Sequence, residues 1–472
     1  MFVGRQRETT ELNRLYQSGK FQCVVMYGRR RVGKTALISE FIKDKEAIYF
    51  TGQETNDKDN LEGLSQSIFS ISEDFAAAAP VFPGYKEALQ AVFEAAEKRR
   101  IVLAIDEYPY LAYSYRGISS LLQTFIDKYK ETSRLFIILC GSSLSFMENQ
   151  VLGAKSPLFG RRTAQFRLRP FDFCETEAYF AGGLFSREDV ALLYGVTGGI
   201  PLYLSLMDKS LSVETNMKQH FFTPSGYLFE EPGNLVKQEC REPAQYNAVI
   251  KAIATGSSRL SEICGKVGLE SGLCSTYITK LISIGIVKKE HPFREETNKR
   301  AIYSLDDGMF RFWYRFVPNN MALIQRGEVD LAFAQIKPQI SAYMGGVFEE
   351  ICKQYLWQQN IAGALPFLFT DAGRWWGTHQ KKKTACEIDI IAANKDDAIF
   401  AECKWTNERV GADIVAALLE RSGLFNYSKN YYYLFAKTGF TDGARAMADT
   451  ADNIKLVCYR EIFETFQAFS RY

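Results

Sequence analysis

Histidine is scarce: His220, His291 and His379 are the only three in 472 residues, and they lie far apart. That argues against a zinc centre, whose ligands come in close sets. Cysteine is more plentiful, but its ten copies are scattered and form no C-x-x-C pair. With no secretory leader at Met1-Phe2-Val3, this points to a reducing, cytoplasmic compartment. No uncharged apolar run approaches membrane-spanning length, so no membrane association is expected. Nor is one sign of charge in surplus: 57 Lys and Arg face 55 Asp and Glu, for a net charge of +2. A global field advertising a polyanionic partner is thereby excluded; a local basic surface is not. Short-period repeats and low-complexity tracts are missing as well, which excludes solenoids and disordered arrays. What remains is an ordinary globular composition with room for roughly two to four domains.

The chain is organised around Gly28-Arg29-Arg30-Arg31-Val32-Gly33-Lys34-Thr35. An apolar strand precedes this stretch and a helical pattern opening at Ala36 follows it. Strand, G-x-x-x-x-G-K-T loop and helix together make a P-loop. Its glycines let backbone N–H groups converge on phosphate oxygens, and the helix adds its positive end to the same anion. Gly28 to Ala36 are therefore candidate ATP contacts, with Lys34 reaching the β/γ-phosphates and the Thr35 hydroxyl on Mg²⁺. Arg29, Arg30 and Arg31 are either surface charge or phosphate-facing. Val3 and Gly4, ahead of this strand, are candidate base contacts or a packing turn.

A second apolar strand, Ile101 to Ile105, ends in Asp106-Glu107. Carboxylates at the C-terminal tip of a parallel strand sit at the ligand edge of such a sheet. Asp106 is expected in the Mg²⁺ shell, with Glu107 orienting or deprotonating the attacking water. The strand Leu135 to Cys140 ends at Gly141-Ser142-Ser143, where Ser142 or Ser143 is a γ-phosphate sensor or a strand cap. Arg161 and Arg162 follow, either as surface charge or as an arginine finger, in cis or, as is usual, across a subunit boundary, which would imply a homo-oligomer formed on ATP. The turn Gly198-Gly199-Ile200-Pro201 opens a helix, with Pro201 in its first turn.

Together these residues resemble the predominantly archaeal ATPase family, a branch of the AAA+/STAND P-loop NTPases. The resemblance covers about the first half of the chain and implies an ATPase domain with a helical lid over residues 1–240. It places Ser142 at the sensor position and Pro201 in the lid, close to the nucleotide.

Residues 241–318 read as a winged helix-turn-helix: three helical patterns and then two alternating strands. The third helix offers Ser271, Ser275, Thr276, Thr279 and Lys280. The wing offers Lys288, Lys289, Arg294, Lys299 and Arg300, a set suited either to phosphate binding or to protein contact. The aromatic run at 309–316 reads as a packing seam. Residues 319–339 are expected to be a linker.

From 340 to 472 the pattern is α/β. Asp389 lies in one apolar strand and Glu402 and Lys404 in the next, all with their strand's alternation. This is similar to the D…E-x-K arrangement of the PD-(D/E)XK nuclease superfamily and implies a restriction-endonuclease-like domain. Asp389 and Glu402, completed by Glu349 or Glu350, would bind Mg²⁺, and Lys404 would position the attacking water or stabilise developing charge. Lys381, Lys382 and Lys383 could grip a DNA backbone. No proline precedes Asp389, a departure from the common pattern. DNA is thus the expected partner, either cleaved or only bound.

Overall fold

The computed structural model describes residues 2–71, 81–295, 297, 300–379 and 382–469. It contains two compact units, Met1–Pro170 and Phe171–Tyr472. The helices between 173 and 239, expected in the ATPase module, therefore belong to the second unit.

The first unit is built on five strands: β1 (Gln22–Tyr27), β2 (Ala47–Thr51), β3 (Val102–Asp106), β4 (Phe136–Gly141) and β5 (Ala164–Arg167). They form one parallel sheet in the order β2-β3-β4-β1-β5. β1, β3 and β4 are buried at every position because helices cover both faces. Val24, Met26, Val102 and Ile138 pack on one side with Leu12 and Phe41. Val25, Leu103, Ile105 and Ile137 pack on the other with Phe93 and Leu122. The loops after β1, β3 and β4 thus emerge side by side at the C-terminal edge of the sheet, where the functional residues lie.

In the second unit, helices Pro243–Ala254, Leu260–Val267 and Ser271–Ser283 precede a hairpin of β6 (Val287–Glu290) and β7 (Ile302–Leu305). This is the element order read from the sequence. The aromatic run forms helix Gly308–Phe316, with Phe310, Phe312 and Phe316 buried. Phe312 meets Phe221, Phe222 and Tyr343 edge-on. Tyr343 donates to the carbonyls of Gly195 and Gly308 at 2.7 and 3.2 Å, which draws the start of this helix against the glycine turn at 198–199. There a Cβ on Gly199, at φ 67°, would lie 2.1 Å from the Phe171 carbonyl oxygen. Close packing within this unit therefore accounts for the glycine pair.

The residues expected as a linker are largely helical: Pro318–Asn320, Met321–Gln325 and the start of a helix running Val329–Ile361. That long helix packs on a second sheet of β8 (Asp371–His379), β9 (Thr384–Ala393), β10 (Asp397–Lys404), β11 (Lys429–Ala436) and β12 (Ile454–Cys458), ordered β12-β11-β10-β9-β8. β8, β9 and β10 are antiparallel neighbours; β10, β11 and β12 run parallel.

Candidate functional site

The P-loop joins β1 to helix Lys34–Ile42, which has Gly33 at its N-cap. A Cβ on Gly28 would lie 2.4 Å from the Leu168 carbonyl oxygen, so no larger residue fits there. Val32 is wholly buried in the core below, leaving only its backbone to face a phosphate. Thr35 and Ala36 are exposed on the first helical turn. Lys34 is buried, and its ammonium donates to the carbonyls of Gly28 and Arg29 at 2.9 and 3.0 Å. Burial lowers its pKa, against the pull of Cys140, Glu107 and Asp106. Arg29 is buried, Arg30 donates to the Tyr110 hydroxyl at 2.9 Å, and Arg31 takes a left-handed φ of 74°.

Thr35 and Asp106 are brought together: the Thr35 hydroxyl donates to Asp106 Oδ2 at 2.6 Å. The Tyr49 hydroxyl donates to the same oxygen at 2.9 Å, and the Glu107 N–H to Oδ1 at 2.9 Å. Burial pushes the Asp106 carboxyl up, but hydrogen bonds from Cys140, Thr35, Tyr49 and the Glu107 N–H outweigh it, so it titrates below its ordinary value. A charged carboxylate beside a hydroxyl at the mouth of a P-loop is a donor set that fits Mg²⁺. Glu107 sits at φ 46°, and its Oε2 accepts from the Ser142 hydroxyl at 2.8 Å and the Ser142 N–H at 3.3 Å. The tips of β3 and β4 are thereby tied together.

Tyr49 and Arg5 were not assigned roles from the sequence. Arg5 is buried and donates to the Val32 carbonyl at 2.9 Å, which holds the Val3-Gly4 opening against the P-loop. A polar tyrosine in the short apolar strand β2, next to the Asp106 strand, was the available signal for Tyr49.

For Arg161 and Arg162 the structure bears only on a role in their own subunit. They precede β5, whose Ala164 pairs with Val24 near the start of β1. They therefore lie at the N-terminal edge of the sheet, at the opposite end of the strands from the P-loop. Arg161 makes a two-pronged pair with Asp127, at 3.0 and 2.7 Å, and Arg162 reaches the Leu152 carbonyl at 3.4 Å. Neither is placed to touch a phosphate in its own subunit's site. Pro201 opens helix Pro201–Ser205 in the second unit.

The second cluster lies on β9, β10 and the long helix. One step beyond the paired Ala401 and Ile390 come Glu402 and Asp389. Asp389 Oδ2 accepts the Cys403 N–H at 2.8 Å. Burial, reinforced by Glu402 and Glu349, pushes the Asp389 carboxyl up to about 7. Burial also raises Glu349. Lys404 donates to Glu402 Oε1 at 2.7 Å, and the Arg421 guanidinium lies 3.1 Å from Oε2. That Oε2 is buried and accepts no hydrogen bond among the described residues. Asp389 and Glu402, side by side on neighbouring strands, are a donor pair that fits a cation, which would compete with the Arg421 guanidinium for Glu402 Oε2. The expected three-carboxylate set is not assembled: among the described residues, no three His, Cys, Asp or Glu side chains are grouped to hold a metal ion. The reason is local, since Glu402 is turned towards Lys404 and Arg421 and Glu350 pairs with Lys353 at 3.0 Å.

Each described wing cation has a partner within the protein, although Lys289 and Arg294 are exposed. Lys288 pairs with Glu290 at 3.0 Å, Arg294 donates to the Asn394 carbonyl at 2.8 Å, and Arg300 pairs with Glu295 at 2.6 Å. Lys289 lies over the Tyr303 ring, and Lys382 donates to Glu420 at 2.8 Å. Lys299 and Lys381 lie outside the described residues. Ser271, Thr276 and Thr279 are exposed on the third helix of the winged segment.

A parallel sheet with a P-loop after β1 and an acidic pair after β3 defines a P-loop NTPase. Residues 2–207 match the family described as an ATPase domain predominantly from Archaea, and residues 313–415 match a family of archaeal and bacterial proteins of unknown function. The uncharacterized protein MJECL04 of Methanocaldococcus jannaschii is 32% identical over 445 residues, covering 93% of this chain and 96% of its own. The chain thus belongs to the predominantly archaeal ATPase family. A 46-residue stretch, 10% of this chain, is 46% identical to the uncharacterized ATP-binding protein MJ0423 of the same organism and covers 78% of it. The fold is also that of the Walker-type ATPase PABY2304 of Pyrococcus abyssi: TM-score 0.51 at 19% identity, over 66% of this chain and 96% of that one. Among the described residues, no helix is long and apolar enough to cross a membrane.

Proposed function

We propose that the first unit binds and hydrolyses ATP as a molecular switch. The observation carrying this reading is the convergence of Lys34, Thr35, Asp106 and Glu107 at the C-terminal edge of one parallel sheet. Backbone N–H groups of Gly28 to Thr35 hold the phosphates, and Lys34 leaves the loop carbonyls for the β/γ-oxygens. Thr35 and Asp106 would hold Mg²⁺, which neutralises charge on the transferring group. Glu107 takes a proton from water as the water oxygen bonds to the γ-phosphorus and the bond to the β-phosphate bridging oxygen breaks, giving ADP and phosphate. Ser142 fixes the Glu107 carboxylate for that task. Lys34→Ala should abolish tight ATP binding, read by equilibrium titration with a fluorescent ATP analogue; unchanged affinity would overturn the assignment.

The second unit acts on DNA in this reading. Asp389 and Glu402 would hold Mg²⁺, which polarises the scissile phosphate, and Lys404 positions the water that displaces one sugar oxygen from phosphorus. The ion pairs of Glu402 with Lys404 and Arg421 favour a second reading, in which the same surface binds DNA without cutting it. The two separate on Glu402→Ala. Loss of Mg²⁺-dependent plasmid cleavage with ATP turnover intact supports the nuclease; no cleavage by the parent protein supports the binding surface.

A further inference from the structure

Within the second unit, a cavity of about 540 Å³ opens beside Asp389 and Glu349. Its walls come from the β6–β7 hairpin, helix Gly308–Phe316, the long helix and strands β8 and β9. The hairpin wall is fastened in place. The Phe293 N–H donates to the Arg374 carbonyl at 2.8 Å, and the Phe293 ring is buried among Trp375, Ile391 and Phe400. Trp376 Nε1 donates to the Arg300 carbonyl at 3.2 Å, and Arg294 to the Asn394 carbonyl at 2.8 Å. The route to the Asp389 carboxylate therefore runs between two standing walls.

We propose that this cavity takes a single-stranded nucleic-acid segment and excludes a duplex. The proposal rests on the reading of the Asp389–Glu402–Lys404 cluster as a nucleic-acid site and names its substrate class. A duplex carries its phosphates on a broad convex surface and cannot push one between walls fixed on both sides. A single strand can thread through. The lining has the two components that such a strand needs, cations for the backbone and aromatic faces for the bases. Lys288, Arg311, Arg315 and Arg374 supply the first, Tyr303 and Trp376 the second, in a lining that also carries Glu290, Glu349, Glu350 and Asp389. Lys288 and Arg374 are part-compensated by Glu290 and Glu387. Arg315 is exposed, and Arg311 Nε is buried with no hydrogen bond among the described residues.

Fluorescence anisotropy on the full chain tests this, using an end-labelled DNA strand of about 10 nucleotides, the matching RNA strand and the blunt DNA duplex, all with Mg²⁺. The single strand is expected to bind at least tenfold more tightly than the duplex. Its log affinity should fall with log salt concentration at a slope near −0.7 for each phosphate held. Tyr303→Leu and Arg315→Ala, each checked for an unaltered circular dichroism spectrum, are expected to weaken it about fivefold or more. The RNA arm tells which sugar the cavity accepts. A duplex bound as tightly as the single strand, single-strand affinity indifferent to both variants, or no binding to any of the three would overturn the proposal. Single-strand binding of the expected kind with no substrate cut overturns only the cleavage reading. Cleavage of a duplex bound more tightly than the strand overturns only the single-strand inference.

Discussion

Replacing Asp389 by asparagine removes a carboxyl that the fold holds at about 7, against an ordinary value of 3.8. The sign follows from proton counting. Between those two values the native protein binds a proton at this site that the unfolded chain has already released. Stability is therefore lost as pH rises from about 4 to 7 and stays at its lower level above that window. Across pH 5 to pH 8 only the part of the shift above pH 5, about two pH units, is felt, which corresponds to roughly 2–3 kcal/mol; screening by solvent at the part-exposed carboxylate reduces this to about 1–2 kcal/mol. Asparagine keeps the size and loses the titration. Asp389→Asn should accordingly gain about 1–2 kcal/mol on the parent protein between pH 5 and pH 8. The assay is denaturant unfolding at both pH values, followed through the transition of the second unit, with chelator present. A gain that is equal at the two pH values, or larger at pH 5, would refute the reasoning.

Adding Mg²⁺ at pH 8 should stabilise the parent protein through this site more than Asp389→Asn, because the ion compensates the repulsion among Asp389, Glu402 and Glu349; an equal thermal shift in both, the Thr35–Asp106 site being common to the two, would contradict a cation there. Ser142→Ala removes the hydroxyl that holds Glu107 and is expected to lower kcat for ATP about tenfold while leaving ATP affinity within about twofold; loss of affinity instead would make Ser142 a phosphate ligand. Arg161→Ala should leave ATP turnover in dilute protein unchanged and cost under about 1 kcal/mol, the worth of its exposed pair with Asp127; a large loss of turnover in dilute protein would place it at its own subunit's phosphates after all.

Much of the first unit was legible because a parallel strand covered on both faces reads as an unbroken apolar run. β1, β3 and β4 are such runs, and each ends at a functional loop. The Thr35–Asp106 contact follows from that pattern once β1 and β3 share a sheet. Arg161 and Arg162 lie away from their own subunit's P-loop for a related reason. They follow the sensor strand in sequence, but a parallel sheet returns the chain to its N-terminal edge before the next strand begins. Residues 319–339, expected as a linker, are largely helical; Pro338 falls inside the long helix, where Phe333 and Ile336 are buried by tertiary packing. The wing charges illustrate a limit of a different kind. Lys288, Arg294 and Arg300 read as a phosphate-binding set; Glu290 and Glu295 are near enough in sequence to have signalled the partners of Lys288 and Arg300, whereas the Asn394 carbonyl that holds Arg294 lies a hundred residues away. Asp389 and Glu402 were placed side by side by alternation alone, but the turn of Glu402 towards Arg421 depends on a helix almost twenty residues further on.

The central claim is that Glu107 performs the proton transfer in a pocket that Lys34 and Asp106 build for ATP. Its most direct test is ATP binding and turnover measured together on Glu107→Gln, which keeps the shape and the Ser142 hydrogen bond but removes the base. The expected result is ATP bound as tightly as by the parent protein with turnover reduced at least about a hundredfold. Turnover at the parent rate with binding intact would contradict it.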